Sequence, residues 1–459
     1  MSTRDRSKFR LCSLYTGMVT ILMASLSLFV GCSESRDAGR EFRVSISRSL
    51  SEKPITGRVY VFIFTDENNN PRLRRGFGHQ PVSTVTGEPF FAVDVHGLMP
   101  GEPVNVGDGS FGYPLANLQE LPAGEYFVQA LLNIYTEFRR SDGHVVWAHM
   151  DQWEGQQAGK SPGNLISGVK KVTLDSSRSY SIKLELNERI PPIDIPPDTQ
   201  WIKRVKIQSR LLTEFWGHPI FIVATLLLPK DYGSRPGSFY PTVYSQGHFS
   251  LDPPFGFSTE PVEESESEIL ARKERGIENG FKFYESWISE TFPRMIVVTF
   301  QHPTPYFDDS YAVNSANNGP YGDALAKELI PYLEKSFRMI PKSYARILTG
   351  GSTGGYESLA LQIFNPQYFG GTWTFYPDPI DFNNVFLVNI YRDENAFSAP
   401  GYKWLKPERY AFRSPEGQPI QSIRQLSQLA LALGSNGRSC EHLEAWEAAF
   451  GPVSMDGYP

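Results

Sequence analysis

Gly350-Gly351-Ser352-Thr353-Gly354 sets one hydroxyl among residues without side chains, after the apolar run 345–349 and before a helical pattern at 355–364. The arrangement satisfies G-x-S-x-G. A nucleophilic serine needs a tight strand-to-helix turn in strained backbone geometry, where a neighbouring Cβ would collide and glycine does not. The helix that follows aims backbone N–H groups at the same point, so the Thr353 N–H is a candidate donor to the oxyanion of a tetrahedral intermediate. Plain glycine turns also match the bare pattern. The strand before it and the helix after it favour the catalytic reading.

A second oxyanion donor should come from the loop after an earlier strand. "PTVYSQGHF", 241–249, offers a short strand and then Gly247, where backbone must approach substrate. Gly247, His248 and Phe249 are the candidates through their main-chain N–H groups. The His248 side chain reads as a loop histidine lining the pocket.

Serine is a poor nucleophile without a histidine base that a carboxylate orients. In this type of site the chain order is serine, acid, histidine. The carboxylates after Ser352 include Asp378, Asp381, Asp393 and Glu394, and the sole histidine after it is His442. Asp378 is kept as a weak acid candidate. His442 lies in "SCEHLEAWEAAF", an amphipathic helix pattern, and reads as a packing or surface residue and only a weak base candidate.

Other chemistries have less support. The chain lacks H-E-x-x-H, paired cysteines and a Walker loop, and His79, His96, His144, His149, His218 and His302 show no ligand-like spacing. Asp308-Asp309 reads as a solvated turn. No metal and no cofactor are expected. The net charge of −6 without a long basic run argues against nucleic acid as a partner.

The elements that must position Ser352 begin at Trp201. Strand-like "KRVKIQSRLL", "IFIVATLLL", "PTVYS", "MIVVTF" and "ARILT" alternate with helical patterns over at least part of 267–292 and over 322–337 and 354–364, which implies βαβ units and a mostly parallel sheet covered on both faces. Asp323 is a plausible N-cap, and Pro331 should kink or open its helix. "VFLVNIY", 385–391, reads as a strand or lid segment. From 41 to 188 the pattern changes to short alternating runs between turns, the signature of an all-β sandwich-like region. Pro191, Pro192, Pro196 and Pro197 then suggest an extended spacer over 189–200.

The N-terminus reads as an export address. Arg4, Arg6, Lys8 and Arg10 precede an apolar stretch from Leu11 to Val30, and Gly31-Cys32 follow. "LFVGC" resembles a lipobox, with Cys32 as the lipid-attachment residue; an uncleaved signal anchor is the alternative. Residues 32–40 then form a tether. Without residues 1–31 the chain is more acidic, at −9, and Cys440 is its one unmodified thiol. Both readings place the body in the bacterial cell envelope, held at a membrane.

"TLLLPKDY", "YPTVYSQGH", "ELIPYLEKSF" and "ILTGGSTGGYESLALQIFNPQYFGG" together resemble the esterase branch of the α/β-hydrolase superfamily, near the feruloyl and acetyl-xylan esterases. The resemblance covers roughly 205–380. It implies an α/β-hydrolase fold and hydrolysis of carboxylic esters through an acyl-enzyme on Ser352. It also implies two further strands, an acid loop and a histidine loop after "GTWTFYPDPID", which the chain does not supply. The domain 201–459 is therefore expected to be an incomplete hydrolase. The expected partner is a small-molecule or glycan-linked ester. The alternatives are a non-catalytic surface lipoprotein that binds glycan or protein, and a serine peptidase on the same fold. Aromatics in "WTFYPDPIDF" and "TPYF" suit either an apolar or sugar-stacking wall or the core.

Overall fold

Alternation organises the N-terminal half. Strand Arg40–Ile46 buries Phe42, Val44 and Ile46 and turns the residues between them outward, the period of two expected of a pleated strand. A computed structural model describes residues 39–68, 70–73, 87–150, 152–261, 263–274, 276–401, 404–414 and 416–459. The signal and Cys32 readings lie outside the described residues. The region 39–189 holds two sheets. One is three-stranded, with Arg40–Ile46 between Tyr180–Leu186 and Pro103–Gly107; the other is built on Gly124–Arg139, Ile55–Phe64 and Phe90–Leu98. Phe42, Val44 and Ile46 share one core with Val59, Val61, Ile63 and Val128 of the larger sheet.

Strand Ile55–Phe64 is buried along most of its length, so its other face also needs a cover. Tyr60, Phe62 and Phe64 pack against Leu426, Leu429 and Leu433, which project from helix Ile423–Leu433. That helix starts with a reciprocal capping box, the Ser422 side chain on the Gln425 N–H and the Gln425 side chain on the Ser422 N–H. Residues 190–199 carry no regular structure, as the two proline pairs predict. The regions on either side nonetheless share a core, because Phe138, Val146 and Ala148 join Trp216 and Ile220.

The second half is built on a six-stranded mixed sheet in the order Ile202–Ser209, Ile220–Leu227, Ile296–Gln301, Thr242–Gln246, Arg346–Gly351, Gly371–Phe375. The first two pairings are antiparallel and the last three parallel. Neighbouring residues along the strands go to different cores. Leu226, Tyr244 and Val298 meet Leu325, Leu329 and Leu333; Leu227, Val243 and Val297 meet Phe283 and Trp287. Both faces are therefore covered by helices, which accounts for the continuous apolar runs in the sequence.

Several expectations need correction. Asp323 does not cap its helix: the helix opens at Tyr321 after Pro320, and Asp323 sits in its first turn, paired with Lys327. The effect of Pro331 falls just upstream, as a π-helical turn over Leu325–Leu329, because proline supplies no N–H to the regular ladder. "KRVKIQSRLL" is strand only to Ser209, whose side chain caps the short helix Arg210–Trp216. "VFLVNIY" is a tight turn with a single bridge between Val385 and Val388 and positive φ at Phe386 and Leu387. After Phe375 no described residue adds a strand to the six-stranded sheet. The chain instead runs back to the β-rich region, where Arg140 donates to the Gly457 carbonyl at 2.9 Å and Tyr458 Oη accepts the Trp147 N–H.

Candidate active site

Ser352 stands between strand Arg346–Gly351 and helix Thr353–Phe364 with φ 56° and ψ −125°. A residue with a Cβ is strained there by about 1–3 kcal/mol. The turn is closed tightly. A Cβ on Gly354 would lie 2.1 Å from the Gln246 carbonyl oxygen, and one on Gly350 would lie 2.1 Å from that of Gly354. Those two glycines let the strand, the helix and the Gly247 loop converge, while the serine side chain stays exposed. We expect Gly354→Ala to lower stability by about 3 kcal/mol or more, read as a shift of the urea midpoint. An unchanged midpoint would mean that the loop can retreat.

The Ser352 hydroxyl donates to Asp378 Oδ1 at 3.2 Å. Asp378 Oδ2 accepts from Thr353 Oγ1 at 2.7 Å and from Tyr311 Oη at 3.0 Å. Tyr311 Oη in turn accepts the Trp446 indole N–H at 2.5 Å. Burial, with Asp309 and Asp378 nearby, pushes the Tyr311 phenol well above its ordinary range, so it remains a donor. Asp378 thus reaches Ser352, but its contact is with the hydroxyl itself, where an orienting acid would hold an imidazole.

The two histidines that the sequence singled out lie side by side. His248 and His442 meet edge to face with ring centroids 5.3 Å apart, and His442 lies 5.1 Å from Phe307. His442 is the first residue of helix His442–Phe450, which also carries Trp446, so one helix contributes both the imidazole and the indole that ends the Tyr311–Asp378–Ser352 chain. Its surroundings are therefore not those of a remote surface residue. Phe249 packs on Trp153, with ring centroids 6.4 Å apart, so the β-rich region buttresses the loop that carries Gly247 and His248.

Asp308-Asp309 is not a solvated turn. Both are buried, and His248 Nδ1 lies 3.1 Å from Asp308 Oδ1 and 2.9 Å from Asp309 Oδ2. Burial alone would lower the His248 pKa, but the two carboxylates raise it well above the ordinary imidazole value. Burial pushes Asp309 up to about 6. Glu357, one turn into the helix after Ser352, is fully buried and pushed well above the usual carboxyl range by burial and by Asp309. His302, also buried, is lowered to about 4. Sequence spacing could not join these groups, which come from two separate loops and one helix. The acidic pair followed by "SYAV" was the available signal, because apolar neighbours hint at burial.

The aromatic segments divide. Trp373, Phe375 and Tyr376 are exposed along the edge strand beside the serine turn, whereas Tyr306 and Phe307 are core.

Residues 222–378 match the model of the family described as "Putative esterase". The search of curated proteins found no match. Among solved structures, a ferulic acid esterase is 19% identical over 38% of this chain and 60% of its own, with a TM-score of 0.27. A ferulic acid esterase from Anaeromyces mucronatus is 18% identical over 39% and 61%, at 0.23. An IroE-like serine hydrolase from Shewanella oneidensis is 16% identical over 39% and 51%, at 0.25. The chain spans less than two thirds of the length of each of these structures. The matched segment runs from the second strand of the central sheet to Asp378 and contains the whole serine turn. Over residues 222–378, the segment that holds the serine turn, the chain is thus similar to that esterase family.

Proposed function

We propose that the protein is a serine hydrolase acting on carboxylic esters, with Ser352 as nucleophile. The observation that carries this reading is the exposed Ser352 side chain on a positive-φ strand-to-helix turn within the esterase-matched segment. Ser352 Oγ attacks the ester carbonyl, and the Thr353 N–H with the Gly247–Phe249 loop stabilises the oxyanion. An imidazole takes the serine proton and returns it to the leaving alcohol, after which water hydrolyses the acyl-enzyme. His442 and His248 are the two imidazoles grouped beside the Tyr311–Asp378 chain. Trp373, Phe375 and Tyr376 offer an apolar wall to the acyl or sugar portion of the ester. The β-rich region, read as a sandwich-like accessory module, supports the oxyanion loop through Trp153 and Phe249. The envelope location and lipid at Cys32 belong to the same proposal and rest on the sequence alone.

The test is a fluorophosphonate probe combined with a panel of acyl esters and peptide amides. Labelling with ester turnover supports the reading, and amide turnover of equal rate would make the enzyme a peptidase. Neither labelling nor turnover would leave a non-catalytic binding protein. That outcome has one observation in its favour, since the hydroxyl's recorded partner is a carboxylate.

A further inference from the structure

Beside the serine turn lies a cluster whose two aspartates the ester chemistry does not use. His248 Nδ1, one oxygen of Asp308 and one of Asp309 all fall within 4.8 Å of one another. The His248–Asp308 and His248–Asp309 separations are 3.1 and 2.9 Å. Atoms at adjacent corners of an octahedron with bonds of about 2.1 Å are about 3.0 Å apart, so the cluster has the spacing of a ligand set.

A second observation is independent of those contacts. Glu357 is fully buried, and among the described residues neither of its carboxyl oxygens has a hydrogen-bond partner. The charges that bear on it are Asp309, His248 and Asp308. His302 Nε2 is also buried without a partner, 3.7 Å from Glu357 Oε1. Three carboxyls, those of Asp308, Asp309 and Glu357, are thus gathered out of water around the His248 imidazole. A buried carboxyl without a hydrogen-bond partner, such as that of Glu357, is costly unless a cation or a proton balances it.

We propose that His248, Asp308 and Asp309 bind one divalent first-row cation, of the Mn²⁺ or Zn²⁺ class, between the loop after strand Thr242–Gln246 and the loop after strand Ile296–Gln301. His248 ligates through Nδ1, and the two aspartates supply the charge that balances the ion. One imidazole with two carboxylates suits Mn²⁺ or Zn²⁺ better than Ca²⁺, which takes oxygen ligands. The His248 side chain is part-exposed, so the ion's route from solvent runs past its ring. The ion would fix the Gly247–Phe249 loop, so the site adds a positioning device to the proposed oxyanion loop without depending on ester turnover.

The experiment uses the full chain, stripped with EDTA and titrated by calorimetry with Mn²⁺, Zn²⁺ and Ca²⁺ in turn. We expect one equivalent of Mn²⁺ or Zn²⁺ to bind and to raise Tm. Asp309→Asn and His248→Gln should each weaken binding by about 100-fold or more, while Ser352→Ala binds as the unaltered chain does. The proposal is overturned if neither ion binds at one equivalent, if Ca²⁺ is preferred, or if both ligand variants bind as tightly as wild type. Because the unaltered chain decides the first two outcomes, poor folding of a variant does not rescue the idea. Loss of ester turnover in a chain that still binds the ion would count against Ser352 and not against this site.

Discussion

Ser352→Gly should abolish ester turnover and at the same time make the protein more stable. The two effects have separate causes, which gives the test its force. Removing the hydroxyl takes away the nucleophile, and loss of a serine that works with a base costs on the order of 10⁴–10⁶ in kcat. Removing the Cβ relieves a residue held at φ 56° and ψ −125°, a region that glycine occupies freely. The expected gain is about 1 kcal/mol, at the lower end of the strain range because glycine also loses more entropy on folding. Ser352→Ala should lose the same activity without that gain, since it keeps the Cβ. Urea melts of both variants, with initial rates on a chromogenic acyl ester, measure the pair of effects. Turnover within tenfold of wild type in both would remove Ser352 from the reaction. A Ser352→Gly protein no more stable than Ser352→Ala would mean the turn is not strained.

The serine turn was legible because its information is local. Gly350 and Gly354 are required by contacts that the turn and the adjoining loop make, and five consecutive residues display the need. The strands of the central sheet were legible for the same kind of reason: burial on both faces forces continuous apolar runs such as 296–300. Groups whose environment comes from distant segments were not legible. Asp308 and Asp309 look like a solvated turn until the helix bearing Glu357 and the His248 loop close over them. His442 sits correctly on a predicted helix, yet its meaning changes once that helix is laid beside Tyr311 and His248. Of the two readings of "VFLVNIY", the strand fails, because hydrophobicity alone suggests it whereas Phe386 and Leu387 turn through positive φ. Hydrophobic runs establish that a segment avoids water; they do not supply the partner that lets it extend.

Arg58 is the clearest case of a residue whose role is invisible locally, and it carries the second large effect. It lies in the strand Ile55–Phe64 and is fully buried. Its NH1 donates to Asp94 at 2.8 Å, its Nε and NH2 to the Ala432 carbonyl at 3.2 and 3.0 Å, and NH2 also to the Leu431 carbonyl at 2.6 Å. Those carbonyls end helix Ile423–Leu433, where the helix dipole favours a cation. We therefore expect Arg58→Met to cost about 3–5 kcal/mol, because it leaves carbonyls and a carboxylate without their buried partner. Asp94 supplies a pH signature. Burial by itself would raise its pKa, but Arg58, then Ser435 and Arg438, hold it below the ordinary aspartate range. A depressed carboxyl contributes stability that is fully present above about pH 4 and is lost as pH falls through the lower folded value. Wild type should accordingly lose stability on acidification below about pH 4, and Arg58→Met, whose Asp94 is pulled down less, should lose less over the same interval. The effect should reach the proposed active site as well. Helix Ile423–Leu433 leads directly into the segment that carries His442 and Trp446, and Trp446 holds Tyr311 against Asp378. Loosening the Arg58 cap should slow fluorophosphonate labelling of Ser352 under conditions where the variant is still folded. An unchanged labelling rate in a measurably destabilised Arg58→Met protein would show that the C-terminal helices cover the β-rich sheet without positioning the serine.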